Sequence, residues 1–446
     1  MKIVSTSECD RTKLVAGIKR RLNTFEGAFA QNVDSSLAAK IFGEKLSPIE
    51  SVRRIIADVK ERGDDAVLFY NCAFDGVSLN KDELLVSEEE TEDAYNTIDK
   101  SLLKAIKKAK DNITAFQDHV KITSPGRLST DGVSLELIYQ PIEKVGIYVP
   151  GGKASYPSTV LMCAVPARAA GVDRVVMCTP PGKDGRVSPE RLVAARETGV
   201  AEVYKIGGVQ AIAAMAFGTD TVPKVDKIVG PGNVFVTMAK KEVYGYVGID
   251  MLAGPSEVVV LADEKADAAL IASDLLSQAE HPGAAMLVTP SRQLAEDVKT
   301  EVEKQLKTLP SRKLAEESLQ GLGILVVTRD MEEAVEITNS IAPEHVGLHL
   351  EDPEAVLPRL RHAGTVFVGD FSPVAVGDYI AGPSHVLPTG GTARFFSGLS
   401  VNDFLRRLSV ISFSRKALVE AAPDIITMAE TEGLPAHAQS VRMRLK

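Results

Sequence analysis

The chain has 446 residues, of which 45% are hydrophobic, enough apolar material for about two to four packed domains. Its 51 basic and 60 acidic residues leave a formal charge of -9 with both signs scattered, so no basic stripe can hold a phosphate backbone, and a nucleic-acid partner is disfavoured. No apolar run approaches the roughly 20 residues that span a bilayer, and the first residues lack a secretory hydrophobic segment, so a cytoplasmic protein without membrane attachment is expected.

In chain order, Ser47-Pro48-Ile49-Glu50 is a capping box with proline in the first turn, followed by Val52, Ile55, Ile56 and Val59 on one helical face and stopped by Gly63. Ser87-Glu88-Glu89-Glu90 opens a second helical stretch, predicted to run on through Leu102, Leu103, Ile106 and Ile113. Residues 135–139 have strand character. From Val145 onward the texture becomes parallel α/β: short β-rich runs at 145–149, 174–178, 203–206 and 227–229 each lead into Gly or Pro and then a helix. A second series follows Gly254-Pro255, at 258–261, 285–289, 324–328 and 365–368, so two sheets are expected. Residues 401–408 and 417–446 read as helical, with too few apolar positions for a core of their own. Such a tail is expected to pack on something else, for instance another subunit. No repeat of short fixed period and no low-complexity segment interrupts the chain.

Three strand-to-helix turns are glycine-rich: Pro150-Gly151-Gly152, Gly207-Gly208-Val209-Gln210 and Gly230-Pro231-Gly232-Asn233. Glycine lets a ligand approach the backbone, and each helix start offers free N–H groups, but none of the three matches the strict dinucleotide fingerprint. Singly each is an ordinary tight connection. Together they mark a nucleotide site at the carboxyl edge of a parallel sheet.

The four cysteines are far apart and form neither a disulfide framework nor a thiolate metal site, so any metal must take nitrogen and oxygen ligands. Cys163, among Leu161, Met162, Ala164 and Val165, reads as a buried core thiol and not a nucleophile. Seven histidines serve the chain, and two follow a glutamate: Glu280-His281 and Glu344-His345. Gln278 and His281 lie three apart near the end of the helical run 266–279, which Pro282-Gly283 terminates, so both can face one way. For an isolated pair, a histidine interacting with the helix dipole is the plainer reading. Asp378 and the polar loop from Gly382 through His385 to Thr389 shift the balance toward a site suited to Zn²⁺, Mn²⁺ or Co²⁺. Glu344-His345, between a helix and the short strand predicted at 346–350, is a candidate general-base dipeptide, its bland alternative being a solvated loop. His119, His349 and His362 read as structural or exposed.

The ordered set Val145-Gly146-Ile147-Tyr148-Val149-Pro150-Gly151-Gly152, Gly230-Pro231-Gly232-Asn233, Ala253-Gly254-Pro255-Ser256-Glu257, Gln278-Ala279-Glu280-His281, Ala342-Pro343-Glu344-His345, Gly377-Asp378-Tyr379, His385-Val386-Leu387-Pro388-Thr389 and Glu432-Gly433-Leu434-Pro435-Ala436-His437 resembles the histidinol dehydrogenase family along essentially the whole chain. The resemblance implies a four-electron oxidation of L-histidinol through L-histidinal to L-histidine at the expense of two NAD⁺. It implies one Zn²⁺ per subunit on Gln278, His281, Asp378 and His437. Substrate contacts would come from Ser256, His345, His385 and Glu432 as well as the metal ligands, NAD contacts from Tyr148, Gln210 and Asn233, and catalysis from Glu344 and His345. It further implies an α/β fold of two Rossmann-like parallel domains with smaller helical N- and C-terminal segments. The expected boundaries are 1–43 for the N-terminal helical segment, 44–147 plus 256–399 for the larger domain, 148–255 for the NAD-contacting domain, and 400–446 for a C-terminal helical segment swapped in a homodimer. Val374 stands where many relatives carry glutamate, and Ser384 where asparagine is common, which leaves open a family member acting on a different small alcohol such as a sulfonated diol.

Overall fold

The computed structural model describes residues 1–22, 40–152, 155–281 and 283–446; Pro282 and the middle of the expected N-terminal segment lie outside the described residues. A five-stranded parallel sheet runs in the spatial order Glu202–Lys205, Arg174–Thr179, Lys144–Tyr148, Lys227–Val229, Gly248–Ile249. Counted along the chain this is the doubly wound order 3-2-1-4-5, with the reversal beside Lys144–Tyr148. A six-stranded parallel sheet places Lys2–Ser5, Ile324–Val327, Ala284–Thr289, Glu257–Ala262, His345–His349 and Thr365–Val368 side by side. Its five C-terminal-half strands repeat the same winding, a long-period repetition of architecture that no short sequence period announces.

Both sheets are covered on both faces, which is why their strands read as unbroken apolar runs. In the first, Val145, Ile147, Val175 and Met177 point to the face covered by Pro157–Ala170, Pro189–Glu197 and Lys100–Val120, while Tyr148, Val176, Cys178 and Ile228 point to the face under Gly208–Phe217, Val234–Val243 and Pro48–Arg62. In the second, Val258, Val260 and Leu287 join one core, and Val259, Leu261 and Met286 the other, as the alternation of a strand requires. The capping box at Ser47 is formed: its N–H donates to Glu50 Oε2 at 2.8 Å and its Oγ accepts from Glu50 N at 3.4 Å.

Several expectations are corrected. Residues 48–120 bury apolar faces against the five-stranded sheet, and the Lys100–Val120 helix also meets residues of the expected larger domain, Asn112 donating to the Ile380 carbonyl at 2.8 Å beside Val386 and Leu399. The helix opened by Ser87 ends at Thr97, because Asp99 caps a second one, Lys100–Val120, through Ser101 N and Leu102 N. The N-terminal segment is not wholly helical, since Lys2–Ser5 completes the edge of the six-stranded sheet before the Arg11–Leu22 helix. Residues 405–408, read as helix, belong to the strand Leu405–Phe413, paired antiparallel with Val133–Pro141 and, beyond it, Arg127–Thr130. Val401, Phe404, Leu405 and Leu408 carry helical spacing, but a partner more than two hundred residues away decides the conformation. This small sheet and the helices Arg415–Thr431 and Pro435–Leu445 form an arm that buries little in the single chain.

Candidate active site

Ala342, in a left-handed conformation at φ 55°, turns the chain from the Met331–Ile341 helix through Pro343 and delivers Glu344 and His345 to the amino end of their strand. There they meet the start of the neighbouring strand, His345 in register with Val258. Glu344 Oε2 accepts from Ser256 Oγ at 2.5 Å and from Glu257 N at 3.1 Å. Glu257 answers reciprocally: its Oε1 accepts from Glu344 N at 3.2 Å and Gly390 N at 2.8 Å. Two carboxyls buried side by side cannot both ionise cheaply. Burial and the neighbouring Glu344 push Glu257 well above the carboxylate range, so it keeps its proton. Burial pushes Glu344 up to about 7, opposed by its bonds from Ser256 and Glu257.

His345 is buried, with Nδ1 3.6 Å from Glu344 Oε2 and its ring against Phe367. Burial pushes its pKa down to about 4 although Asp378 pulls the other way, so the imidazole is neutral, and neither ring nitrogen has a hydrogen-bond partner. It borders a cavity of about 170 Å³ shared with Phe367, Gly377, Asp378, Ser384 and His385. Asp378, from the short helix Val374–Tyr379, is raised to about 6 by burial. His385, lowered to about 4 by burial, donates from Nδ1 to Asp378's backbone carbonyl (3.1 Å) and approaches Thr159 Oγ1 at Nε2 (3.4 Å). Thr159 sits on the helix Pro157–Ala170, which follows the first strand of the five-stranded sheet, so His385 ties the two halves together.

Gln278, in the last turn of Ala268–Ala279, is buried with its Nε2 unpartnered and its Oε1 3.5 Å from Ser256 Oγ. The chain passes so close that a Cβ on Gly283 would collide with the Ser256 carbonyl and lie 2.9 Å from Gln278 Nε2. His281, exposed just beyond that helix, lies within electrostatic reach of Glu344, His345 and His385 but does not line the cavity. The structure thus gathers Ser256, Gln278, His281, Glu344, His345, Asp378 and His385. Glu432 and His437 are not brought there: both are exposed on the arm and neither lines the cavity. Among the described residues, no group of three or more His, Cys, Asp and Glu is placed to hold a metal ion.

A larger cleft, about 1280 Å³, opens at the carboxyl edge of the five-stranded sheet and is lined by all three residues expected to touch NAD. Tyr148 Oη accepts from Gly208 N at 3.0 Å, which leaves its own proton for a ligand; burial raises its pKa to about 12 and keeps it there. Gln210 Nε2 donates to Asn71 Oδ1 at 3.2 Å, and Asn233 Oδ1 caps the Val234–Val243 helix through Phe235 N and Val236 N. Gly230, at φ 111°, passes so near Tyr148 that a Cβ would strike its carbonyl. Glu257, Asn71 and Asp75, the last of which also lines the cleft, have no role in the sequence reading. Glu257 left a signal, a carboxylate opening an otherwise apolar run, whereas Asn71 and Asp75 left none.

Of the residues outside the site, Cys163 is fully buried with its thiol pushed up by burial, as expected of a core residue. Val374 likewise packs into the hydrophobic core, whereas Ser384 lies on the wall of the His345 cavity with its Oγ donating to the Met162 carbonyl at 3.0 Å.

A neutral buried histidine suits removal of an alcohol proton as hydride departs, and a cleft at the switch point of a doubly wound sheet suits the acceptor. Together they define the class as dinucleotide-dependent oxidoreductases. The histidinol dehydrogenase family model matches residues 44–445. A histidinol dehydrogenase of Rhodopirellula baltica is 47% identical over 99% of this chain and 95% of its own, and one of Bacillus subtilis is 48% identical over 95% and 98%. The crystal structure of histidinol dehydrogenase from Elizabethkingia anophelis superposes with a TM-score of 0.89 at 36% identity, covering 100% of this chain and 98% of that one. The chain belongs to the histidinol dehydrogenase family, and with it to the NAD-dependent oxidoreductases of histidine biosynthesis. Among the described residues, no helix is long and apolar enough to cross a membrane.

Proposed function

We propose that this chain oxidises L-histidinol through L-histidinal to L-histidine at one site, reducing two NAD⁺, as a cytoplasmic zinc-dependent homodimer. The observation that carries the reading is the buried Glu344–His345 pair, whose environment pushes one group toward neutrality and holds the other uncharged. Glu344 beside Nδ1 favours the tautomer with its proton on Nδ1, leaving Nε2 to accept. In the first oxidation His345 Nε2 takes the hydroxyl proton while hydride passes from the carbinol carbon to NAD⁺. In the second, Glu344 as carboxylate takes a proton from the water that adds to the aldehyde, while His345 returns the proton it gained to the carbonyl oxygen, giving the hydrate and a neutral imidazole. His345 then takes a hydroxyl proton of the hydrate as the second hydride leaves.

Gln278 through its Oε1, His281 and Asp378 fit a zinc site in donor type, and the buried Gln278 amide beside Ser256, its nitrogen unpartnered among the described residues, is a polar group left for a ligand or substrate to satisfy. One chain supplies these three donors, and His437 of the partner subunit would complete the set. Bound there, the metal supplies an electrostatic template for the substrate's nitrogens. Ser256, His385 and the partner's Glu432 would contact the substrate, and Tyr148, Gln210 and Asn233 the dinucleotide. The test is NADH formation from L-histidinol before and after chelation. Loss of turnover on chelation and recovery with added zinc is expected. Turnover of a sulfonated diol with none of histidinol would move the assignment to the sister activity.

A further inference from the structure

Residues Asn71–Asp75 form a π-helical turn that extends the Asp64–Tyr70 helix, a rare geometry that tends to mark functional sites. It delivers two polar side chains to the dinucleotide cleft. Asn71, fully buried, donates to the Lys205 carbonyl at 2.8 Å and holds Gln210. Asp75 does the opposite: its Oδ2 is buried without a partner among the described residues, and burial raises its pKa to about 6. A fold gains nothing from a carboxylate desolvated in this way, which points to a partner supplied by a ligand.

Its position says which part of the ligand. A Cβ on Gly207 would lie 3.3 Å from Asp75 Oδ2 and 2.7 Å from Pro180 Cβ. Asp75 therefore stands over the carboxyl ends of the second and third strands of the winding, Arg174–Thr179 and Glu202–Lys205. In doubly wound dinucleotide folds an acidic residue at the end of the second strand receives the adenosine ribose hydroxyls. Here that strand runs into Thr179-Pro180-Pro181-Gly182, which has no carboxylate, and Asp184 beyond it is exposed with Oδ1 engaged by Arg186 N at 3.1 Å. We propose that Asp75 takes this part from outside the βαβ unit, accepting hydrogen bonds from the adenosine ribose of NAD⁺ and excluding a dinucleotide phosphorylated on that ribose. The proposal rests on the reading of this cleft as the dinucleotide site.

The experiment compares steady-state kinetics with NAD⁺ and NADP⁺ at saturating histidinol for the full-length protein and for Asp75→Asn, Asp75→Ala, Asp184→Asn and Gln210→Ala. Loss of a charge-assisted bond should raise KM for NAD⁺ roughly ten-fold in both Asp75 variants, and the kcat/KM ratio of NADP⁺ to NAD⁺ should rise by about the same factor. Because the Asp75 side chain makes no hydrogen bond among the described residues, its variants should melt no lower than the parent. A ratio unchanged in both Asp75 variants, with KM raised by Gln210→Ala, overturns the role of Asp75 and leaves the cleft assignment standing. A shift produced by Asp184→Asn in place of Asp75 also overturns it. If neither Gln210→Ala nor the Asp75 variants alter KM for NAD⁺, the cleft reading falls with it.

Discussion

The chemistry at residue scale turns on carboxyl groups held at different protonation states by their neighbours. Glu257 and Glu344 exchange backbone N–H bonds across adjacent strands, and the deeper of the two keeps its proton, so the other titrates alone near neutrality. In the proposed mechanism the Glu344 carboxylate serves as a base only in the aldehyde step, where it activates water. Glu344→Gln is therefore expected to slow oxidation of supplied histidinal by roughly 10²–10⁴, the usual worth of a general base, and the first hydride transfer much less. The sign of the pH effect follows from the raised pKa: the competent form accumulates as pH rises through about 7, so the histidinal rate should climb across that range and the variant should lose the limb. Single-turnover NADH formation from each substrate measures both. Equal loss in the two half-reactions would remove Glu344 from the water-activating role.

At the scale of elements, the buried pair Lys240–Asp250 fastens the Gly230 loop from both sides: Lys240 Nζ donates to the Gly230 carbonyl at 3.0 Å and Asp250 Oδ2 accepts from Gly230 N at 2.8 Å. That loop leads to Asn233 in the cleft. Lys240→Met strands the Asp250 charge and should cost about 3–5 kcal/mol of stability, read from denaturant unfolding, together with a higher KM for NAD⁺. Lys240→Met with Asp250→Leu should regain most of the stability but not the KM, since Gly230 then has neither partner. The elements themselves were legible in sequence where burial on both faces leaves continuous apolar runs flanked by glycine or proline, Gly254-Pro255 ahead of Glu257–Ala262 and Pro180 after Arg174–Thr179. They were illegible where a remote partner decides, as for Lys2–Ser5 and Leu405–Phe413, and where one cap outweighs periodicity, as at Asp99. The same division runs through the site. Residue types and motif order exposed Gln278, His281, Glu344, His345 and Asp378, whereas Glu257 and Asp75 owe their character to burial by distant segments.

For the whole molecule, Glu432 and His437 are exposed on an arm whose Leu408, Val410, Ile411 and Phe413, with Val419, Met428 and Met443, leave apolar area facing outward, so under the proposed function a single chain's site lacks two of its groups. An arm with so little core of its own needs a surface to pack on, and in the proposed homodimer a second copy related by a two-fold axis would offer each arm the other's pocket. This arrangement makes a prediction that a self-contained site does not. His345→Asn and His437→Asn homodimers should each be nearly inactive, yet subunit exchange between them should restore activity. In a heterodimer, one pocket pairs the intact His345 of the second variant with the intact His437 of the first, while the other pocket carries both lesions. Random exchange makes half the dimers mixed, so recovery should approach about a quarter of the parent rate. Recovery that never exceeds the sum of the separate variants, with exchange verified by tagged subunits, would place both histidines in one chain's site and overturn the shared arrangement.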